Sequence, residues 1–333
     1  MSHLPSKKSH QEDFQKIHQL IKSSKEEVYQ HINKMLIQLY WRVGEFVSQK
    51  ITSAHWGQNV VDSLSAYIND QESGLKGFSP RNIWRMKQFY ETYAEHEKLS
   101  PLVTEITWTN HLAILSKAKT IEEKEFYLRL TKDYRYSKRE LERLIDTATF
   151  ERVALGEKLS PVVTEIGTGF KDTYIFEFLT LPTDYKENDL RRGLVKNLKH
   201  FLLELGPDFT FVGEEYVVQV GKSDFRIDLL MYHRGLNCMV AIELKTTSFQ
   251  PEHLGKLQFY LEALDQNVKK PHENPSIGIL ICADKDDEVV QFAMNRNMSP
   301  AMVAEYQTKL IDKSVIQKKL HEINKTLSDA NED

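Results

Sequence analysis

Two short stretches decide how this chain folds: DFRIDLL at residues 224–230 and VAIELK at residues 240–245. Both are rich in apolar residues, as is typical of buried β-strands. The first nevertheless contains Asp228, and the second contains Glu243 and Lys245. Burying a charged group is costly unless it is paired or binds a metal ion. The two stretches therefore predict neighbouring strands with a functional site where their charged side chains meet.

Strand geometry predicts which of these side chains share a face. Successive side chains point to opposite faces, so Glu243 and Lys245 lie on one face and Leu244 on the other. Residues 234–237 (RGLN) are typical of a turn between the two strands. Counting outward from this turn pairs Asp228 with Glu243, provided that no bulge intervenes. Two carboxylates in that position repel each other unless a cation lies between them.

Asp228, Glu243 and the main-chain carbonyl of Leu244 offer three oxygen ligands of the kind that Mg²⁺ prefers. The pattern predicts a Mg²⁺ or Mn²⁺ site that polarises a phosphodiester and lowers the pKa of a bound water. Lys245 would orient or deprotonate that water, or neutralise charge in the transition state. The competing interpretation is an exposed salt bridge at the edge of a sheet, which would contribute little to the stability of the fold and would have no catalytic role.

Glu187 is a candidate for a fourth acid. It lies near the N-terminus of the helix that precedes the strands, three residues before Leu190 and seven before Leu194, on the inward stripe of that helix. A carboxylate near a helix N-terminus is also stabilised by the helix dipole without any catalytic role.

The flanking segments define the fold class. A helix at 188–205 is followed by strands at 211–220, 225–233 and 238–246, a helix at 251–265 and a strand at 277–283. This order predicts an αβββαβ core with a mixed sheet, in an α+β or α/β chain.

The N-terminal half is predicted to be helical, beginning with one long or bent helix from about residue 11 to 52. The predicted organisation follows from this change of pattern: a helical domain at 1–157, a linker at 158–172, the nuclease-like domain at 173–310, and a charged helix and tail at 311–333.

Composition limits the class of protein. The chain has 333 residues, a net charge of −4 and two cysteines, Cys238 and Cys282, which lie in apolar runs. The net charge argues against a protein that binds nucleic acid through an overall positive charge, and the two separated cysteines argue against a disulfide framework. No apolar run is long enough for a membrane span, so we expect a cytoplasmic protein. No glycine-rich phosphate loop indicates a nucleotide cofactor.

Two sets of polar residues are candidates for contact with nucleic acid. On the helix that starts at Pro80, they are Arg81, Asn82, Arg85 and Lys87. On the helix after the site, they are Lys256, Gln258 and Tyr260. Such side chains suit phosphate and base-edge contacts, and a solvated helix face is the alternative in both cases.

These runs resemble a known family. In the C-terminal half, FLLELG (201–206), DFRIDLL, IELK (242–245) and NPSIG (274–278) resemble the nuclease domain of the YhcG/DUF1016 family. In the helical half, LYWRVG (39–44), GFSPRN (77–82), ITWTNH (106–111) and SKRELE (137–142) resemble its N-terminal domain. The family is similar to the PD-(D/E)XK nucleases, the superfamily of many restriction enzymes. This resemblance implies a restriction-endonuclease-like αβββαβ core, with Asp228, Glu243 and Lys245 as its catalytic residues.

The chain departs from the family pattern at two places. Leu190-Arg191 stands where relatives often have Leu-Glu, and Glu214-Glu215-Tyr216 stands where they often have Arg-Gln-Tyr. The first departure leaves Glu187 or Asp189 as a fourth acid, or none. The second removes a positive charge from a strand that could face phosphate.

The leading hypothesis is a metal-dependent DNA endonuclease whose helical domain recognises nucleic acid or a partner. The departures favour a rival, a catalytically impaired nucleic-acid-binding or assembly module on the same fold. A third hypothesis is a helical interaction protein that forms a homo-oligomer through its long first segment and its charged last helix.

Overall fold

The computed structural model describes residues 7–53, 56, 58–159, 170–295 and 300–329. The chain divides into two compact units, Met1–Ile145 and Asp146–Asp333. This division lies earlier than the predicted domain end at residue 157, because Leu155 packs with Ile316 near the C-terminus. Most of the predicted linker lies outside the described residues.

The first unit is helical over its described residues. Its helices are α1 (Lys7–Thr52), α2 (Gln58–Gln71), α3 (Pro80–Tyr93), α4 (Ser100–Val103), α5 (Trp108–Lys117), α6 (Ile121–Tyr134) and α7, which runs on to the first residue of the second unit (Lys138–Asp146). The predicted end signals act locally: the Ser79 side chain caps α3, and Ser137 and Glu140 form a capping box before α7.

Helix α1 continues without interruption through Gly44, where the sequence left open a bend or break. The glycine has a packing role instead. A Cβ atom at this position would lie 2.1 Å from the carbonyl oxygen of Met86 in α3. Only a residue without a side chain permits this approach of the two helices.

The second unit contains one mixed sheet. Its elements are α8 (Thr149–Leu159), β1 (Thr173–Ile175), α9 (Glu187–Lys196), α10 (Leu198–Leu205), β2 (Phe209–Val220), β3 (Ser223–His233), β4 (Cys238–Ser248), α11 (Glu252–Asn267), β5 (Ile277–Asp284), α12 (Asp287–Met294), β6 (Ala301–Gln307) and α13 (Lys313–Asp329). Among the described residues the strand order is β1-β6-β5-β4-β3-β2.

Strands β2, β3 and β4 pair antiparallel, and β4, β5, β6 and β1 pair parallel, which confirms the predicted mixed sheet and the αβββαβ order. Two local predictions were wrong. The helix predicted at 188–205 is two helices divided at Asn197, whose backbone leaves the helical region. Strand β1 was not predicted, because it has only three residues.

The sheet is covered on both faces. Helices α9 and α10 pack on one face through Leu190, Leu194 and Phe201. Helix α11 packs on the other face through Leu257 and Leu264. Both cores consist of fully buried aliphatic and aromatic side chains, so the strands between them are held in a fixed register. No described helix has the length and apolar composition of a membrane-spanning segment.

Candidate active site

The site lies where the ladder between β3 and β4 ends. The last pair of this ladder is Leu229 with Ile242, so the next step of the same register sets Asp228 opposite Glu243, as counting from the turn predicted. The Leu244 amide donates a hydrogen bond of 2.9 Å to Oδ2 of Asp228. This bond fixes the Asp228 carboxylate against β4.

Glu243 is fully buried, with 0% of its surface exposed. Its Oε1 atom accepts hydrogen bonds from Nζ of Lys245 at 3.0 Å and from Nζ of Lys256 at 2.5 Å. Its Oε2 atom has no hydrogen-bond partner among the described residues. A buried carboxylate oxygen without a partner is costly, and its presence needs an explanation.

The two carboxylates disfavour each other's charge. Burial, and then the negative charge of Glu243, raises the pKa of the Asp228 carboxyl above its usual value. A cation bound between them would offset both effects. The open Oε2 atom of Glu243 and the neighbouring Asp228 thus fit a hard divalent ion, with the Leu244 carbonyl as the predicted third oxygen. No group of three or more His, Cys, Asp or Glu residues in the described ranges could hold a metal by itself.

Lys245 links two acids. Its Nζ atom lies 3.0 Å from Glu243 and 3.2 Å from both carboxylate oxygens of Glu187. Burial alone would lower the pKa of Lys245, but Glu243 and then Glu187 raise it above its usual value. Lys245 is therefore charged at neutral pH and acts here as a cation rather than as a base.

Glu187 is the first residue of α9 and is close to the two core acids through Lys245. Its side chain is 42% exposed, so it lies at the mouth of the site. Asp189, the alternative fourth acid, accepts a hydrogen bond of 3.0 Å from the backbone amide of Lys186. This bond belongs to the N-terminal cap of α9.

The two departures from the family pattern meet each other in space. The Arg191 guanidinium is only 10% exposed and lies 3.1 Å from Glu215, 3.7 Å from Glu214 and 3.6 Å from Asp228. Glu215 lies opposite Asp228, between the β2–β3 pairs Glu214–Leu229 and Tyr216–Ile227, and it has a left-handed backbone with φ of 45°. The residues of the two departures thus form one cluster of ion pairs beside Asp228.

Sequence reasoning treated Arg191 and Glu214-Glu215 as two separate features and missed that they contact each other. Their opposite charges were the available signal, because a largely buried arginine requires acidic partners. A left-handed conformation in a strand is also unfavourable for a residue other than glycine, and such strain is concentrated at functional sites.

The candidates on α11 border the same site. Lys256 contacts Glu243 and lies over the ring of Tyr260, 5.4 Å from its centroid. The Tyr260 hydroxyl donates a hydrogen bond of 2.6 Å to the carbonyl of Arg226 in β3. Gln258 is half-buried. Lys256 is 48% exposed and is therefore the accessible cation of this group.

The candidates on α3 belong to the first unit. Asn82 accepts a 2.9 Å hydrogen bond from the Trp108 ring nitrogen, and Lys87 pairs with Glu91 at 2.6 Å. These contacts give both side chains a structural function. Arg81 is exposed and Arg85 half-buried, and a contact with nucleic acid remains a prediction for all four.

Comparison with known proteins agrees with this arrangement. Residues 167–321 match the family model described as the YhcG PDDEXK nuclease domain, and residues 16–152 match the DUF1016 N-terminal domain. The second unit thus has the restriction-endonuclease-like fold of the PD-(D/E)XK nuclease superfamily. The chain as a whole belongs to the YhcG/DUF1016 family.

Among curated relatives, the chain is similar to the protein named "Putative nuclease YhcG" from Escherichia coli (strain K12). The two are 28% identical over 345 aligned positions, which cover 90% of this chain and 91% of the relative. Among solved structures, it is matched with a repair endonuclease from Pyrococcus abyssi, at 12% identity and a TM-score of 0.26. That match covers 39% of this chain and 49% of the other.

Proposed function

We propose that the protein is a metal-dependent DNA endonuclease that hydrolyses phosphodiester bonds at the Asp228–Glu243 site. The observation that carries the proposal is the open Oε2 atom of Glu243, a fully buried carboxylate beside a second acid. The buried Glu151 also leaves one carboxylate oxygen without a partner, so the open oxygen alone does not define a ligand. In Glu243 it coincides with a second acid, Asp228, held against the same strand by the Leu244 amide, as a cation site requires. The nuclease family of the C-terminal domain supports the same reading.

Asp228, Glu243 and the Leu244 carbonyl would hold Mg²⁺ or Mn²⁺. When bound, the ion supplies a Lewis acid for the phosphate and lowers the pKa of a coordinated water. Lys245, held by Glu187 and Glu243, supplies a fixed positive charge for the developing negative charge of the transition state. Because it is charged at neutral pH, stabilisation of charge suits Lys245 better than deprotonation of the water.

Binding of nucleic acid would use cations at the mouth of the site. Lys256 is half exposed and can turn from Glu243 toward a phosphate, with Gln258 and Tyr260 beside it on α11. In the helical unit, Arg81 and Arg85 are better candidates than Asn82 and Lys87, whose side chains already have structural partners. The helical domain would recognise nucleic acid or a partner.

The decisive experiment is cleavage of plasmid, single-stranded and branched DNA with Mg²⁺ or Mn²⁺. We expect cleavage by the wild-type protein and its loss in Glu243→Gln, which keeps shape but removes the charge that holds the ion. Glu262→Gln is a matched control, since Glu262 is an exposed acid on α11. Equal cleavage by Glu243→Gln and wild type would refute the assignment of the site.

A second candidate is a binding module without turnover. Arg191 favours it, because a guanidinium 3.6 Å from Asp228 opposes a cation at that carboxylate. DNA binding in the presence of EDTA, together with no cleavage under any metal condition, would support this alternative over the endonuclease.

A further inference from the structure

A continuous apolar stripe lies along α1 and is exposed over its whole length. Its seven members are between 44% and 56% exposed. They are Ile17, Ile21, Val28, Ile32, Met35, Leu39 and Phe46. With about 100° of rotation per residue, they fall within an arc of about 60° over a length of about 44 Å. The stripe is interrupted twice, by Ser24 and Lys25 between Ile21 and Val28 and by Arg42 and Val43 between Leu39 and Phe46.

This stripe is separate from the face that packs in the first unit. Ile37, Tyr40 and Val47 are at most 5% exposed and pack against the other helices of that unit. Their positions lie roughly a third of a turn away from the stripe. Among the described residues, the Trp56 ring contacts the Phe46 end of the stripe, with centroids 5.8 Å apart, and the other six members remain about half exposed. An apolar line of this length is typical of a helix–helix interface.

The order of residues identifies the occupant. Four of the seven apolar positions are symmetric about residue 30: Ile21 is as far before it as Leu39 is after it, and Val28 and Ile32 flank it equally. Phe46 mirrors the exposed Phe14, whereas the mirror positions of Ile17 and Met35 are Val43 and Lys25. Two copies of α1 laid antiparallel would therefore bring Ile21 against Leu39 of the second copy. A stripe that is its own complement after a two-fold rotation is what an isologous interface requires.

The charges beside the stripe agree with the same alignment. Glu27 and Lys34 lie on one flank, as do Lys16 and Glu45. In the antiparallel pair, Glu27 lies level with Lys34 of the second copy, and Lys16 lies level with Glu45 of the second copy. In a parallel pair, Glu27 and Lys34 would be about 10 Å apart along the axis. Such flanking charges commonly select the orientation of paired helices.

The area is adequate for a dimer. Seven large side chains that are about half exposed, with the stems of their neighbours, offer on the order of 600–800 Å² per copy, close to the roughly 800 Å² of a standard interface. We propose that this protein forms an antiparallel homodimer through the α1 stripe, with its two-fold axis near residue 30. The proposal does not depend on the nuclease site.

The test uses the full-length protein in sedimentation velocity over a range of concentrations. We expect a dimer that Ile21→Glu weakens about 100-fold or more, because the new carboxylate would be buried against Leu39 of the second copy. Tyr67→Glu is the matched control, since Tyr67 is 63% exposed on α2 of the same unit. A monomeric wild type, or equal weakening by Tyr67→Glu, would overturn the proposal.

Disulfide trapping tests the orientation. An antiparallel pair predicts that Ile21→Cys chains cross-link with Leu39→Cys chains when mixed, whereas neither variant cross-links alone. Two copies of residue 21 would be about 27 Å apart in this pair. Cross-linking of Ile21→Cys alone would instead require a parallel pair and overturn the orientation. The native cysteines are both buried, so they do not compete.

Discussion

Substitution of Arg191 tests whether this arginine competes with a divalent ion for the Asp228 carboxylate. Its guanidinium is shared by Asp228, Glu214 and Glu215, and only the first of these is a predicted metal ligand. A divalent ion at Asp228 must therefore compete with Arg191. Glu215 favours binding of the ion, because it pairs with the guanidinium and so weakens the hold of Arg191 on Asp228. We expect Arg191→Gln to strengthen binding of Mn²⁺ and Glu215→Gln to weaken it.

The magnitude follows from the distances. Two unit charges about 4 Å apart interact by about 4 kcal/mol at an effective dielectric constant near 20. Because three carboxylates share Arg191, we assign roughly a third of this energy, about 1.4 kcal/mol, to Asp228. That energy corresponds to about a tenfold change in the Kd for Mn²⁺. We therefore expect Arg191→Gln to bind Mn²⁺ about tenfold more tightly.

The assay is titration of the full-length protein with Mn²⁺, followed by electron paramagnetic resonance in the absence of DNA. Glu262→Gln is the matched control, because Glu262 is an exposed acid on α11 whose side chain accepts a hydrogen bond from Gln266 rather than from Arg191. It should bind Mn²⁺ as tightly as the wild type. A purely structural role of Arg191 predicts that both single variants bind more weakly, and that result would refute the competition.

Three further perturbations have defined outcomes. Burial and Glu243 raise the pKa of Asp228, so its carboxylate should be protonated at a higher pH than an ordinary aspartate, which titrates near about 3.9. Mn²⁺ binding should therefore be lost as the pH falls through that higher range, which binding isotherms at a series of pH values would measure. Gly44→Ala should lower the free energy of unfolding by about 1–3 kcal/mol through overlap with α3, whereas Gly255→Ala, with no atom within 4 Å, should raise it by about 0.5–1 kcal/mol in denaturant titration. Glu204→Gln should lower the free energy of unfolding by about 3–5 kcal/mol, because the fully buried guanidinium of Arg152 loses the carboxylate paired with it. An unchanged thermal unfolding transition would contradict this expectation.

The core of the fold followed from local pattern. Strand alternation and the turn at residues 234–237 fixed the β3–β4 register, because a slip by one residue would reverse both faces of strands that are packed between helices. The helical stripe of Leu190 and Leu194 placed Glu187 near the N-terminus of α9, and in the structure its carboxylate contacts Lys245. These features depend on neighbours in sequence or on one hairpin.

The missed features depend on contacts between distant segments. Strand β1 exists because three residues pair in parallel with β6, more than a hundred positions away. Gly44 looked like a weak point in a helix, and only the approach of α3 explains it. The left-handed backbone of Glu215 likewise has no signature in the residue itself. In each case, the tertiary neighbour determines the local structure, so a single sequence contains too little information to predict it.

Five acids and three bases meet in or beside the proposed site. The acids Asp228, Glu243, Glu187, Glu214 and Glu215 pair with Lys245, Lys256 and Arg191. A divalent ion would offset the two excess negative charges, but it would compete with Arg191 for Asp228 and with Lys256 for Glu243. Lys245 is 13% exposed and bridges two acids, which makes it the hardest to displace.

Lys256 and Arg191 differ in their other contacts. Lys256 is half exposed, whereas Arg191 also pairs with Glu214 and Glu215. Because those two glutamates can hold the guanidinium when a cation takes its place at Asp228, Arg191 is compatible with the proposed metal site. Occupancy of that site would then depend on whether Arg191 lies on Asp228 or on the two glutamates.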